Sequence, residues 1–236
     1  MNLSKRVLVG VVSLVGSFVL VTQDAHAVMF AGSLSAAGGG LVGTEEWNSS
    51  STTFSWEVDF INNLWHYDYH FSAPAKNVSH ILIEVSNGSD PFTDQNVFPG
   101  TSAHEGPQLF GPQGNSNPNI PEPVYSLKFN GTSTNENFSI VTDRAPVWGD
   151  VYGKDGKNSS SKNDVIFYNA GFTSSDTDPA NPPSNGSVQF HALVPDTKTT
   201  TPPSNVIPEP SSLLLLGLGF WGAGFSPLKG RKKFIA

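Results

Sequence analysis

Between Thr53 and Phe71 the chain alternates apolar and polar positions with a period of two. In TFSWEVDFINNLWHYDYHF, Phe54, Trp56, Val58 and Phe60 are separated by Ser55, Glu57 and Asp59. Beyond Asn62 and Asn63, Trp65, Tyr67, Tyr69 and Phe71 are separated by His66, Asp68 and His70. Such alternation, rich in aromatic and β-branched residues, is the mark of half-buried strands. A two-residue turn at Asn62-Asn63 sets Phe60 against Trp65, Val58 against Tyr67, Trp56 against Tyr69 and Phe54 against Phe71. A slip of one residue would turn every one of these pairs to the other face, so the register is internally consistent.

Shorter runs of the same kind follow: HILIEVS, VYSLKF, FSIVT and DVIFYNAGF. The dipeptides Asn87-Gly88, Asn130-Gly131, Asp155-Gly156 and Asn185-Gly186 separate or flank them and read as turns. Nothing between residues 44 and 197 has a helical period. The pattern predicts an all-β ectodomain, an antiparallel β-sandwich or jelly-roll-like fold, over residues 28–197. Its Gly/Ala/Ser-rich opening, 28–43, reads as a loose start. The stretch FPGTSAHEGPQLFGPQGNSNPNIPEP is rich in Pro and Gly and reads as a long surface loop. Residues 198–207 form a polar Pro/Thr linker.

The two ends of the chain differ from its middle. Lys5 and Arg6 precede an uncharged, mostly apolar run from Val7 to Val21, and Ala25 and Ala27 then offer a signal-peptidase site. Residues 1–27 are therefore expected to be a cleaved export signal, with the mature chain starting at Val28. At the other end Leu213–Phe225 is continuously apolar or glycine, and Lys229, Arg231, Lys232 and Lys233 follow it. Thirteen helical residues are short for the roughly 30 Å hydrocarbon core, but Ser211 to Leu228 bring the length to eighteen, so a short C-terminal transmembrane helix is expected, with its basic flank cytoplasmic. Between these ends, residues 28–207 carry seven basic against eighteen acidic side chains, a net charge of −11. That balance argues against nucleic acid as a partner. The absence of cysteine excludes a disulfide framework and thiolate metal sites.

The tetrapeptide Ile-Pro-Glu-Pro occurs twice. The first copy, Ile120–Pro123, runs into an alternating segment and reads as a strand entrance, where prolines need no N–H partner. The second opens the apolar tail. Pro208, Glu209 and Pro210, the Gly/Leu-rich apolar segment and the basic end together resemble the PEP-CTERM sorting signal over residues 208–236. That resemblance implies an exosortase-type membrane enzyme as a partner and an intermediate anchored in the inner membrane. It also implies delivery to the cell surface or beyond, commonly in bacteria that make exopolysaccharide.

Chemistry-bearing motifs are sparse. Gly217, Gly219 and Gly222 have dinucleotide-like spacing but lack the strand and βαβ context such a site requires. His66, Asp68 and His70 would share one strand face and are candidate metal ligands, with a solvated polar face as the competing reading. Asp150, Asp155, Asn158 and Asp164 could offer oxygens to calcium but do not match an EF-hand loop. No catalytic signature is present, and no cofactor is expected. The leading expectation is a non-catalytic surface or matrix protein. A carbohydrate-binding module using Trp47, Tyr125 and Trp148 as aromatic platforms is the alternative, against the competing reading that most aromatics lie at core-facing periodicity and pack inside, and an enzyme acting on polysaccharide is the third.

Overall fold

A computed structural model describes residues 29–113, 116–172 and 181–195. They form antiparallel strands with two single turns of 3-10 helix, at Glu45–Trp47 and Asp94–Asn96. The first sheet has the order β1 (Phe30–Ser35), β3 (Thr53–Ile61), β4 (Leu64–Ser72), β8 (Asn135–Thr142). The second has the order β2 (Leu41–Gly43), β11 (Asp164–Asn169), β10 (Val151–Lys157), β5 (His80–Glu84), β7 (Val124–Asn130), β6 (Glu105–Phe110). A third pairs β12 (Ala192–Pro195) with β9 (Pro146–Gly149).

The β3–β4 hairpin has the register its alternation dictates. Phe60 pairs with Trp65, Val58 with Tyr67, Trp56 with Tyr69 and Phe54 with Phe71. Asn62 and Asn63 both take positive φ, 52° and 64°, as a two-residue primed turn requires. Asparagine tolerates this backbone because its short side chain suffers little there.

The apolar faces of the two large sheets meet in one core. Phe71 of β4 stacks on Phe167 of β11 with ring centroids 4.7 Å apart, and Phe138 of β8 stacks on Phe129 of β7 at 4.9 Å. Each fully buried aromatic contributes on the order of 2–3 kcal/mol of hydrophobic stabilisation, which lets a cysteine-free chain hold its shape. The polar ends of the buried rings find partners. The Tyr69 hydroxyl donates to the Leu193 carbonyl at 2.9 Å, and the Tyr67 hydroxyl donates to the Arg144 carbonyl at 2.9 Å. These two bonds fasten the small β9–β12 sheet and its approach to the core, and burial pushes the Tyr69 hydroxyl well above its ordinary pKa.

Two glycines make this packing possible. Gly153 on β10 lies opposite Phe167, and a Cβ there would sit 2.2 Å from the phenyl ring. Gly32 on β1 lies opposite Trp56, whose indole would be 2.3 Å from an added Cβ. In both pairs the aromatic ring lies over the glycine and fills the space its missing side chain leaves.

Several expectations are corrected. The opening 28–43 is not loose: it supplies β1, paired with β3 along its length, and β2, paired with β11. The Pro/Gly-rich stretch is not all loop, because β6 lies within it as the edge strand beside β7. Asp155-Gly156 does not turn the chain but lies inside β10, where the register with β11 shifts. Asn130-Gly131 ends β7 and leads from the second sheet to β8 in the first. The sheet edges are partly covered, which blunts strand addition. Phe98 and Ser102 donate backbone bonds to Val141 and Ser139 of β8. Asn185 and Gly186 engage the backbone of Ala31 on β1.

The first Ile-Pro-Glu-Pro copy is a strand entrance, with β7 beginning at Val124 directly after Pro123. Ile120 is buried with Leu82, Val124, Tyr152, Ile166 and Phe172, a second apolar cluster on the outer face of the six-stranded sheet. Two polar contacts hold this approach in place. His80 Nε2 lies 2.8 Å from Asn117 Oδ1, and the Tyr152 hydroxyl donates to the Pro118 carbonyl at 2.8 Å.

Burial holds the His80 pKa down at about 4, with Lys128 and Lys154 on the flanking strands acting in the same direction. The Asn117 contact and Glu105 oppose the shift without reversing it. In the unfolded chain the imidazole titrates near 6.5, so the unfolded state binds the extra proton first as pH falls. Stability is therefore expected to fall between pH 6.5 and 4, by on the order of 2–3 kcal/mol from this residue. Thermal unfolding followed across that range should show the slope, and His80→Gln should flatten it. An unchanged slope in the variant would assign the effect to other groups.

Candidate functional site

The residues with the strongest functional signal, Pro208, Glu209, Pro210, Lys229, Arg231, Lys232 and Lys233, lie outside the described residues. So do Ala25 and Ala27 of the expected cleavage site and the Gly217–Gly222 spacing. No helix among the described residues is long and apolar enough to cross a membrane. The candidate chemistry that can be built from side chains is on the β domain.

His66, Asp68 and His70 project from β4 onto the outer polar face of the four-stranded sheet, as the alternation requires. They are engaged individually. His66 lies opposite Asp59, the Asp68 carboxylate accepts from the Ser139 hydroxyl, and His70 Nδ1 lies 2.8 Å from Asn137 Oδ1. Among the described residues no group of three or more His, Cys, Asp or Glu is placed to hold a metal ion. Glu57 and Asp68 face each other directly across β3 and β4, a like-charge pair that weakens the hairpin at this point. An open depression of about 330 Å³ lies over these groups, bordered by Ser55, Glu57, Asp68, His70 and Asn137.

The aspartates of the β10–β11 region do not converge on one loop. Asp155 lies 3.9 Å from Lys76, and Asp164 lies 3.4 Å from Lys157. Asn158 accepts the backbone N–H groups of Ser160 and Ser161, closing the hairpin loop. Asp150 is buried, and it belongs to a network that sequence reasoning missed. Its Oδ1 accepts from Asn169 Nδ2 at 2.7 Å and lies 3.0 Å from His191 Nδ1. Glu84 Oε2 accepts the Asp150 N–H at 2.7 Å, and Asn169 Oδ1 accepts the Val151 N–H at 2.8 Å. These bonds tie β5, β10, β11 and the approach to β12 together. Beside them a polar cavity of about 30 Å³, the size of one water molecule, is lined by Glu84, Glu122 and Asp150. Glu122 belongs to the first Ile-Pro-Glu-Pro copy, so that copy is built into the domain's interior edge.

The proposed aromatic platforms are corrected. Trp47 and Trp148 are 0% and 1% exposed, and both are core. The Trp47 indole donates to the Ala75 carbonyl at 3.0 Å, and the Trp148 indole donates to the Pro182 carbonyl at 3.3 Å. Tyr125 is partly buried against the core, and its hydroxyl donates to the Phe92 carbonyl at 3.1 Å. Trp47 and Trp148 present no ring to solvent, and Tyr125 is held against the core by one face. Among the described residues the large apolar side chains that are exposed are Val42, Leu109 and Phe190.

No curated protein and no solved structure shows significant similarity to this chain. Residues 206–232, which take in the second Ile-Pro-Glu-Pro copy, the apolar segment and most of the basic cluster, match a family profile described as the PEP-CTERM protein-sorting motif. The chain thus carries, behind an antiparallel β domain, a PEP-CTERM sorting motif of the kind generally recognised by exosortase, a membrane processing enzyme.

Proposed function

We propose that this is an exported, non-catalytic protein of the cell surface or extracellular matrix. Its β-sandwich ectodomain, residues 28–197, is the cargo, and residues 208–236 are its address. The match at residues 206–232 carries this reading. An acidic domain without cysteine, set between an export-like leader and an apolar, basic tail, supports it. In this scheme signal peptidase removes residues 1–27 and the C-terminal segment holds the folded domain at the inner membrane. The exosortase then acts at the Pro-Glu-Pro region before surface delivery. The reading as a non-enzyme is supported by the lack of any nucleophile–base or metal signature in the sequence.

The test is fractionation of a host that carries an exosortase, with N-terminal sequencing of the recovered protein. The protein is expected outside the cytoplasm and to begin at Val28. Recovery of folded product with Met1 intact, or confined to the cytoplasm, would overturn the export scheme.

A further inference from the structure

Phe190 is 47% exposed and stands two residues before the buried strand β12. An isolated exposed phenylalanine needs no explanation by itself. This one is held there at a conformational cost. Gln189 and Phe190 both have left-handed backbones, with φ of 49° and 62°. That region is unfavourable for side chains other than glycine, asparagine and aspartate, by about 1 kcal/mol per residue.

The surrounding structure enforces the strain. The Ser187 hydroxyl donates to the His191 carbonyl at 2.7 Å, and the His191 N–H donates to the Val188 carbonyl at 2.9 Å. His191 itself lies in the buried network around Asp150. The loop is thus closed at its neck and locked on one side to the core, and the phenyl ring is kept outside.

The ring borders a shallow cleft of about 230 Å³, lined also by Ser33, Ser35, Gly40, Ser187 and Gln189. That volume is below the roughly 300 Å³ at which sites for whole drug-sized ligands begin, so it suits a single ring. None of its lining residues is charged, on a domain that is otherwise strongly acidic. The glycine keeps the floor low. The Ser33 and Ser35 hydroxyls and the glutamine amide supply both donors and acceptors.

We infer that this cleft is a binding subsite for a neutral pyranose unit. The axial C–H bonds of such a ring form an electropositive apolar face that complements the electron-rich face of Phe190. Its equatorial hydroxyls point to the rim, where Ser33, Ser35 and Gln189 can exchange hydrogen bonds with them. A uronate is disfavoured, because its carboxylate would be placed on an acidic domain with no cation in the cleft. The inference stands on the β domain and does not depend on how the tail is processed.

The purified full chain should be tested on an array of neutral α- and β-linked hexose oligosaccharides alongside uronate polymers. Retention on one or more neutral glycans is expected, weakened at least tenfold by Phe190→Asn and unchanged by Leu109→Asn, which removes a different exposed apolar side chain. Phe190→Asn is also expected to keep or raise the melting temperature, since asparagine accepts the left-handed backbone. The inference is overturned if no neutral glycan is retained, if uronates alone are retained, or if Phe190→Asn binds as well as the parent. It is also overturned if the variant's effect in sedimentation is loss of self-association, which would assign the ring to contact with a second copy.

Discussion

Replacing Pro208, Glu209 and Pro210 with alanine is expected to leave the β domain folded and to trap the protein in the inner membrane. The three residues lie within the matched sorting motif, which spans residues 206–232. The last strand among the described residues ends at Pro195 and shares no residue with them. The chain from Pro195 to Pro208 can reach at most about 45 Å, which is the upper limit on the distance between the domain and the point where a membrane enzyme would act. The same substitutions at Pro121, Glu122 and Pro123 should do the reverse. Processing should continue, while stability drops by roughly 1–2 kcal/mol as two prolines no longer restrict the unfolded chain. Fractionation with mass measurement of the C-terminal fragment reads both variants. Normal release of the 208–210 variant would show that the position of the motif does not distinguish the two copies.

The largest effect on stability is expected from Gly153→Val. The new Cβ would meet Phe167 at 2.2 Å, and the ring cannot step aside because it stacks on Phe71 at 4.7 Å and lies 5.7 Å from Trp47. Valine's preference for strands contributes at most about 1 kcal/mol in the other direction. Overpacking of this kind costs about 3 kcal/mol, or roughly 6–12 °C in melting temperature for a domain of this size. The cost should be specific to the pair. Adding Phe167→Leu to Gly153→Val should recover part of the loss, although Phe167→Leu alone is destabilising. Thermal unfolding of the four proteins measures the coupling, and strict additivity would refute the ring-over-glycine account.

That pair also shows where sequence reasoning stops. The β3–β4 hairpin is legible because its information is local: alternation, turn residues and aromatic pairs lie within twenty residues of one another. β1 is not legible, because Phe30–Ser35 includes glycine, alanine and serine with weak strand preference. It becomes a strand only because β3 offers an edge, and Trp56 covers Gly32. β6 is hidden by Gly106 and Pro107 for a similar reason: an edge strand can accept a proline that a central strand would reject. Trp47 and Trp148 invite a reading as platforms, since they lie outside the alternating runs that mark core positions, whereas Tyr125 shares the alternation of Leu127 and Phe129 on β7. The Asp150 network joins residues 84, 150, 169 and 191, and only the folded sheet brings them together. The PEP-CTERM motif is readable from sequence because a linear signal has no such dependence.

The Tyr69–Leu193 hydrogen bond has a practical meaning for anyone who would reuse the tail. It makes residue 193 part of the cargo, although it stands only fifteen positions before the Pro-Glu-Pro motif. Cutting upstream of β12 would expose Leu193's pocket and leave a buried tyrosine hydroxyl with no acceptor, a loss on the order of 1–3 kcal/mol before any packing is counted. A graft of this address onto a foreign protein should therefore begin at residue 196 or later, and a tailless form of the native domain should keep every residue through Pro195.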